Sequence, residues 1–456
     1  MAYAEFYVTK GASASNTNGG GPNLGADDAP ILTLTNVDAV DIGGGLFTLE
    51  NKDNTGWSTT AVDDYVCWDT AGTKEFARVT GLAVGDDSDV ISVYPMVSIT
   101  PGVGGKTVNV GGAWATVDFA ASNVTINFRN AAGDGPRVNV KYNAAAYEET
   151  VTMDSAGTTA IPIVFEGYET TAGDGCPNGN RPSISTTDHL IVNARNFIYV
   201  RNFALSTATN SKYCIYNTGA YCYFVNCTMT ASAASAVGFY SSGGDCFVLN
   251  CISQNCGGYG YRLSTHNVAI GCQSLHNGGY GMYFASSGIV VAHCILHGNA
   301  DDNIYTTGNP SLVINNVLDG STGGSGFRTA DPTNGTPLLF GNVITDNNQY
   351  GIECSAAAAC EEDYNALRGN GVAARLNVVT AGAHDVTLTA DPYVAAGTNF
   401  ALNATAGGGA ACRAAGFPGT LAGGVNIGYT DIGALQHEDA GAGGGAVRIG
   451  VGGRLG

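Results

Sequence analysis

Two histidines and two aspartates stand at near-regular intervals in the middle of this 456-residue chain: His276, His297, Asp319 and Asp346. Imidazoles and carboxylates in line are the residue types of a divalent-metal site or of an acid–base pair. The register slips by one residue among them, and a row of solvated turns accounts for the same pattern. No catalytic residue and no metal ligand is therefore assigned. A second column runs Tyr216, Tyr240, Arg262, Tyr283, Tyr305, Arg328 and Glu353. An exposed Tyr/Arg stripe suits stacking on sugar rings or contact with a protein partner. Stacked tyrosines also stabilise parallel sheets with no ligand at all.

These columns recur because the chain repeats. Seven segments between Phe197 and Cys354 begin FIYVRNFAL, CYFVNCTMT, CFVLNCISQ, NVAIGCQSL, VVAHCILHG, LVINNVLDG and LLFGNVITD. One column holds Asn202, Cys227, Cys251, Cys272, Cys294, Asn316 and Asn342, at steps of 25, 24, 21, 22, 22 and 26 residues. Another holds Ile215, Phe239, Tyr261, Met282, Ile304, Phe327 and Ile352. Two columns in step over seven turns define an internal repeat.

Ahead of the first column the pairs Ile198/Val200, Tyr223/Val225, Phe247/Leu249, Val268/Ile270, Val290/Ala292, Leu312/Ile314 and Leu338/Phe340 alternate with other residues. Period two is a β-strand, and these positions are expected to face inward. The Asn/Cys column is expected to continue inward as a structural ladder. Gly238, Gly260, Gly281, Gly326 and Gly351 are expected to open the next corner with positive φ. One strand turn of ~22 residues cannot bury its own face, whereas turns stacked at ~4.8 Å share a continuous core. The fold class is thus an all-β solenoid of parallel strands. By the same alternation Tyr199, Phe224, Val248, Ala269, Val291, Val313 and Leu339 should face outward. So apolar a row should not meet water. It is expected to form an oligomer interface, or to lie under the N-terminal domain or the tail.

Composition narrows the function classes. Charged residues are 12% and hydrophobic residues 44%, which excludes a disordered chain. Net charge is −19 with no basic run, so nucleic acid is not an expected partner. No apolar stretch of ~18 residues offers a membrane span, and the opening residues lack a signal-peptide pattern. The 13 cysteines are read as buried thiols, without zinc-type pairs. Residues 1–29 are an arm with one strand, AEFYVTK. Residues 30–103 alternate as short strands without the ~22-residue period, a small β domain. Residues 104–437 hold the coil and its caps, with regular rungs over about 189–360 and one short helix, Trp114–Ala121. Residues 438–456 are a glycine-rich tail.

GGAWATVDFAA, VTMDSAGTTAIPIVFEGYETTAGDG and DPYV…NFALN…TDIGALQ complete the pattern. With the repeats they resemble the right-handed parallel β-helix class, the pectate-lyase-like superfamily, over roughly residues 104–437. The resemblance implies a right-handed coil. It leaves function open, because the class holds lyases, hydrolases, epimerases, adhesins and viral fibres. The first 100 residues and the tail resemble bacteriophage virion proteins built on this fold. The expected function is therefore a non-catalytic virion component, a capsid decoration, fibre or spike. Its expected partners are its own copies in a homotrimer, other virion proteins and host surface glycan. Its expected place is the virion, assembled in the host cytoplasm.

No cofactor is expected. The alternative is a polysaccharide lyase or glycoside hydrolase, free or as a tailspike. A lyase needs Ca²⁺-binding carboxylates beside a base, for which Asp301, Asp302 and Arg328, or Glu361, Glu362, Asp363 and Arg368, are the candidates. A glycosidase needs two carboxyls across a groove.

Overall fold

A computed structural model of the protein describes residues 3–10, 32–43, 46–51, 57, 60, 64–70, 73–82, 90–97, 99, 101–110, 113–129, 132–307, 310–330, 335–355, 360–378, 381–413, 415–416 and 431–435. The glycine-rich tail and most of the N-terminal arm lie outside them. The protein is an all-β right-handed parallel β-helix of about 10 turns, about 24 residues each, with an additional N-terminal β domain. The chain divides into two compact units, Met1–Ser185 with Val192–Ala204, and Thr186–Ile191 with Leu205–Gly456.

The first unit contains a closed six-stranded barrel of Leu32–Gly43, Leu46–Asn51, Tyr65–Thr70, Thr73–Leu82, Val90–Pro95 and Gly102–Val110. Closure leaves no strand edge unpaired. Alternate residues, among them Val37, Leu49, Val66, Val79 and Val93, fill its core. The sixth strand runs past residue 103, where the coil was expected to begin. Its alternating KTVNV stretch pairs with both Leu32–Gly43 and Tyr65–Thr70. Ala4–Val8 belongs to the coil instead of an arm: it pairs in parallel with Pro136–Lys141. The short helix is Val117–Asn123, later than expected. Thr116 caps it, and the Glu149 carboxylate accepts from the N–H groups of Val117 and Asp118. Trp114 stays outside the helix, fully buried and stacked on Phe6 at 5.7 Å.

The second unit carries the regular turns. Each turn lays one short strand in each of three parallel sheets. The first sheet includes Phe247–Leu249, Val268–Ile270 and Ile289–Ala292; the second includes Gln273–Leu275, Ile295–His297 and Val317–Asp319; the third includes Tyr261–Leu263, Met282–Phe284 and Ile304–Thr306. Ile215, Phe239, Tyr261, Met282, Ile304, Phe327 and Ile352 are fully buried and form the inward row of the third sheet.

The first sheet reverses the expected facing. Phe224, Val248, Ala269, Val291, Val313 and Leu339 are 0% exposed and point into the coil. They are not available as an oligomer interface. Tyr199 alone among that set is partly exposed, between buried Ile198 and Val200. The cause is a one-residue slip in the first segment. Asn202 has φ +64°, the left-handed conformation that Asn226, Asn250, His293 and Asn315, and Gly271 and Gly341, take in the later segments. Phe203, not Asn202, matches buried Cys227. A one-residue slip exchanges the two faces of a strand. Outward on the first sheet are instead Tyr223, Val225, Phe247, Val268, Ile270, Val290, Leu312, Ile314, Leu338 and Phe340.

The ladder residues Cys227, Cys251, Cys272, Cys294, Asn316 and Asn342 are all fully buried. The Asn342 amide donates to Val313 O and to Asn365 Oδ1, and its Oδ1 accepts from the N–H and the amide of Asn316, each at 3.0 Å. Cys294 joins the same chain by donating its N–H to Asn316 Oδ1 at 2.8 Å. All thirteen cysteines are buried free thiols. The mid-repeat glycines do not take positive φ. They are needed for space: a Cβ on Gly260 would lie 2.3 Å from Ser274 Oγ and 2.7 Å from Gly281 O.

After the last turns the chain folds back as an arm. Its hairpin, Tyr393–Ala395 with Asn399–Leu402, and residues 431–435 cover the outward side of the second sheet. Val317, Val343 and Ala366 are buried there against Tyr393, Phe400, Leu402 and Ile432.

Candidate functional site

The Tyr/Arg column lies on the outward side of the third sheet, where in-register parallel pairing sets successive rings one strand apart. His189, Tyr213, Tyr216 and Tyr240 stack at centroid distances between 5.0 and 5.4 Å. The Arg262 guanidinium continues the stack, 5.1 Å from the Tyr240 ring and 5.5 Å from that of Tyr283. Tyr280 and Tyr283 then stack on Tyr305 at 4.6 and 5.6 Å, and Arg328 closes the row over Tyr305 at 5.8 Å. Tyr213, Tyr259 and Tyr280 were not part of the sequence column. Each sits three residues ahead of it, in the GYGYR and GYGMY segments among others.

At its far end the ribbon meets carboxylates. Arg328 Nε is 3.3 Å from Glu353 Oε1, and its Nη1 is 4.0 Å from Asp302 Oδ2. Asp302 accepts the Ser325 N–H at 2.6 Å, and Ser325 Oγ donates to Glu353 Oε2 at 2.6 Å. Burial raises the Asp302 carboxyl to about 6, with Glu353 and Asp301 adding to the rise and Ser325 and Arg328 opposing it. Asp302 is thus a weak acid held beside a cation at the end of a stacking surface. The other proposed set disperses. Glu362 is buried and paired with Arg375, Asp363 pairs with His384, and Arg368 pairs with Asp346.

The His/Asp column separates into two. His276 and Asp346 occupy left-handed corners, with φ of 51° and 53°. His297 and Asp319 occupy neighbouring strands, in register. His297 Nδ1 is 2.8 Å from Asp319 Oδ2, and Asp319 Oδ1 accepts from Thr345 Oγ at 2.6 Å. Asp346 is drawn away to Arg368. His276 meets the His297 ring edge-on at 5.0 Å, and burial lowers its pKa. Both imidazoles border a cleft of about 190 Å³, roofed by residues 397–400 of the returning arm. Phe400 and Asn399 could not be found from the repeat, because the arm has no periodic relation to it. Among the described residues no cluster of three or more His, Cys, Asp or Glu side chains is placed to hold a metal ion.

Comparison with known proteins agrees on the coil. Residues 183–318 and 266–390 match the family model described as right handed beta helix region. No curated protein matches the chain. Pectate lyase Pel9A is 13% identical over 72% of this chain and 92% of its own, with a TM-score of 0.44. The catalytic unit of a GH87 α-1,3-glucanase from Streptomyces thermodiastaticus is 11% identical over 74% and 86%, with a TM-score of 0.31. The A-module of the Azotobacter vinelandii mannuronan C-5 epimerase AlgE6 is 13% identical over 55% and 90%, with a TM-score of 0.29.

Proposed function

We propose that the protein is a glycan-contacting structural subunit of a bacteriophage virion, a decoration, fibre or spike, and that extended polysaccharide lies along the third-sheet ribbon. The unbroken stack from His189 to Arg328 carries this reading. The ring faces are taken up within the stack, so the ribbon offers a chain of sugar rings a ladder of aromatic edges, phenol hydroxyls and guanidinium N–H groups repeating at one strand spacing. The outward side of the first sheet supports the assembly half. Its residues from Tyr223 to Phe340 carry no formal charge, on a chain of net charge −19. A homotrimer, or docking on another virion protein, would cover that face. The virion assignment itself rests on the resemblance of the first 100 residues and the tail.

The test is cosedimentation of the purified chain with bacterial capsular polysaccharides, followed by a reducing-end assay. Replacing Tyr283 and Tyr305 together by Ala should weaken binding about tenfold, since each aromatic contact is worth ~0.5–1.5 kcal/mol. Unchanged binding removes the ribbon from the reading. The second reading, a polysaccharide lyase or hydrolase, is favoured by the raised carboxyl of Asp302 beside Arg328. Release of reducing or unsaturated ends, lost in Asp302→Asn, would replace the non-catalytic reading with it.

A further inference from the structure

The cleft between the second sheet and the returning arm belongs to neither the ribbon nor the apolar face. Its floor is Gln273, Ile295 and His297, and its roof is Thr398, Asn399 and Phe400. We propose that this cleft is a second binding site, which takes one neutral, hydroxyl-rich ring of monosaccharide size, with His297 Nε2 accepting a hydrogen bond from a ligand hydroxyl.

Four observations lead there. The first is size. A cavity of ~150 Å³ holds a benzene ring, so about 190 Å³ holds a six-membered ring with small substituents. The second is charge. Among the described residues, no Lys, Arg, Asp or Glu borders the cleft. A charged ligand would lose water there without gaining a partner. The third is the mixture of surfaces. Ile295 and Phe400 are apolar, while Gln273 and Asn399 bring amides, the pairing that fits a ring with C–H faces and an O–H rim. The fourth is the orientation of His297. Asp319 is 4% exposed and takes hydrogen bonds from Thr345 Oγ and from the imidazole Nδ1–H. In the neutral imidazole, donation from Nδ1 leaves the lone pair at Nε2. That nitrogen points at the arm turn, where a Cβ on Gly397 would sit 3.3 Å away. Asp319 is a positioning residue: it acts on a ligand only through the imidazole it holds.

The experiment uses the full chain labelled with ¹⁵N-histidine and titrated with the methyl glycosides of glucose, galactose, mannose and N-acetylglucosamine. At least one should shift the His297 Nε2 resonance and saturate. Gln273→Ala and Asn399→Ala should each weaken that glycoside about fivefold, the worth of one ordinary hydrogen bond. Asp319→Asn should move the His297 tautomer signal and, through it, weaken the glycoside, whereas a merely structural aspartate would move the signal alone. The Tyr283/Tyr305 double variant should leave the cleft titration unchanged, so failure of the ribbon and failure of the cleft are read separately. Three results overturn the proposal: no glycoside perturbs His297; cyclohexanol binds as well as the glycosides; or free galacturonate binds more tightly than the neutral sugars.

Discussion

Replacing Asp302 by Asn should stabilise the protein at neutral pH, and the size of the gain follows from the site. The carboxyl is raised to about 6 from an ordinary 3.8, chiefly by burial. A carboxyl with a folded pKa above its unfolded value binds more protons in the folded state. Its favourable contribution is fully present below pH 3.8 and is lost as pH rises through about 6. A rise of about 2 units at ~1.4 kcal/mol each places the cost of the ionised form near 3 kcal/mol at pH 8. Asn keeps the shape and can accept the Ser325 N–H as Asp302 does. Arg328 retains Glu353 at 3.3 Å. Asp302→Asn should therefore gain about 3 kcal/mol at pH 8 and almost nothing at pH 3.5. Denaturant melts of both proteins at the two pH values measure the difference, and ¹³C-carboxyl NMR measures the titration. A carboxyl titrating near 4, or a variant no more stable at pH 8 than at pH 3.5, would refute the reasoning.

The ladder and the facing of the first sheet offer two further tests. Asn342→Ala removes four buried hydrogen bonds and should cost about 4 kcal/mol, seen as roughly a thousandfold faster hydrogen exchange at Asn316. Exchange within tenfold of the parent would show that neighbouring rungs replace those bonds. Val291→Asp places an unpaired carboxylate in the core and should cost about 4 kcal/mol or more, whereas Val290→Asp, one residue away, should melt within about 1 kcal/mol of the parent. Equal losses from the two would contradict the observed facing.

The columns were legible wherever a residue type repeated. Ile215 to Ile352 keep step because each must fill the same inward seat, and Tyr216 to Arg328 keep step because they share one outward face. The first-sheet facing was not legible, because apolar residues occupy both sides of those strands and the period-two pattern reads equally well in either register. The only sign of the correct register is conformational: Asn202, Asn226, Asn250, Gly271 and Gly341 are residue types that accept left-handed φ. The mid-repeat glycines were legible as necessary but not as close contacts, since a sequence does not show which backbone lies against them. His297 and Asp319 were found together. What separates them from Asp346 is a corner that shifts its residue by one place, and what makes a cleft beside them is an arm about 100 residues further along.

The arm also gives the coil a direction under mechanical load. Hydrogen bonds between successive strands of the second unit run along the axis of the coil. A pull along that axis would open the rungs one after another, like a zip, instead of shearing many at once. The last rungs would open first, had they nothing across them. Tyr393, hydrogen-bonded to Thr345 at 2.9 Å, and Ile432, packed with Val317 and Val343, fasten the arm across several of those rungs. Unravelling from that end must first tear the arm away. In a force-extension trace the first event should therefore be the tallest peak, followed by a train of lower ones spaced by the length of a turn.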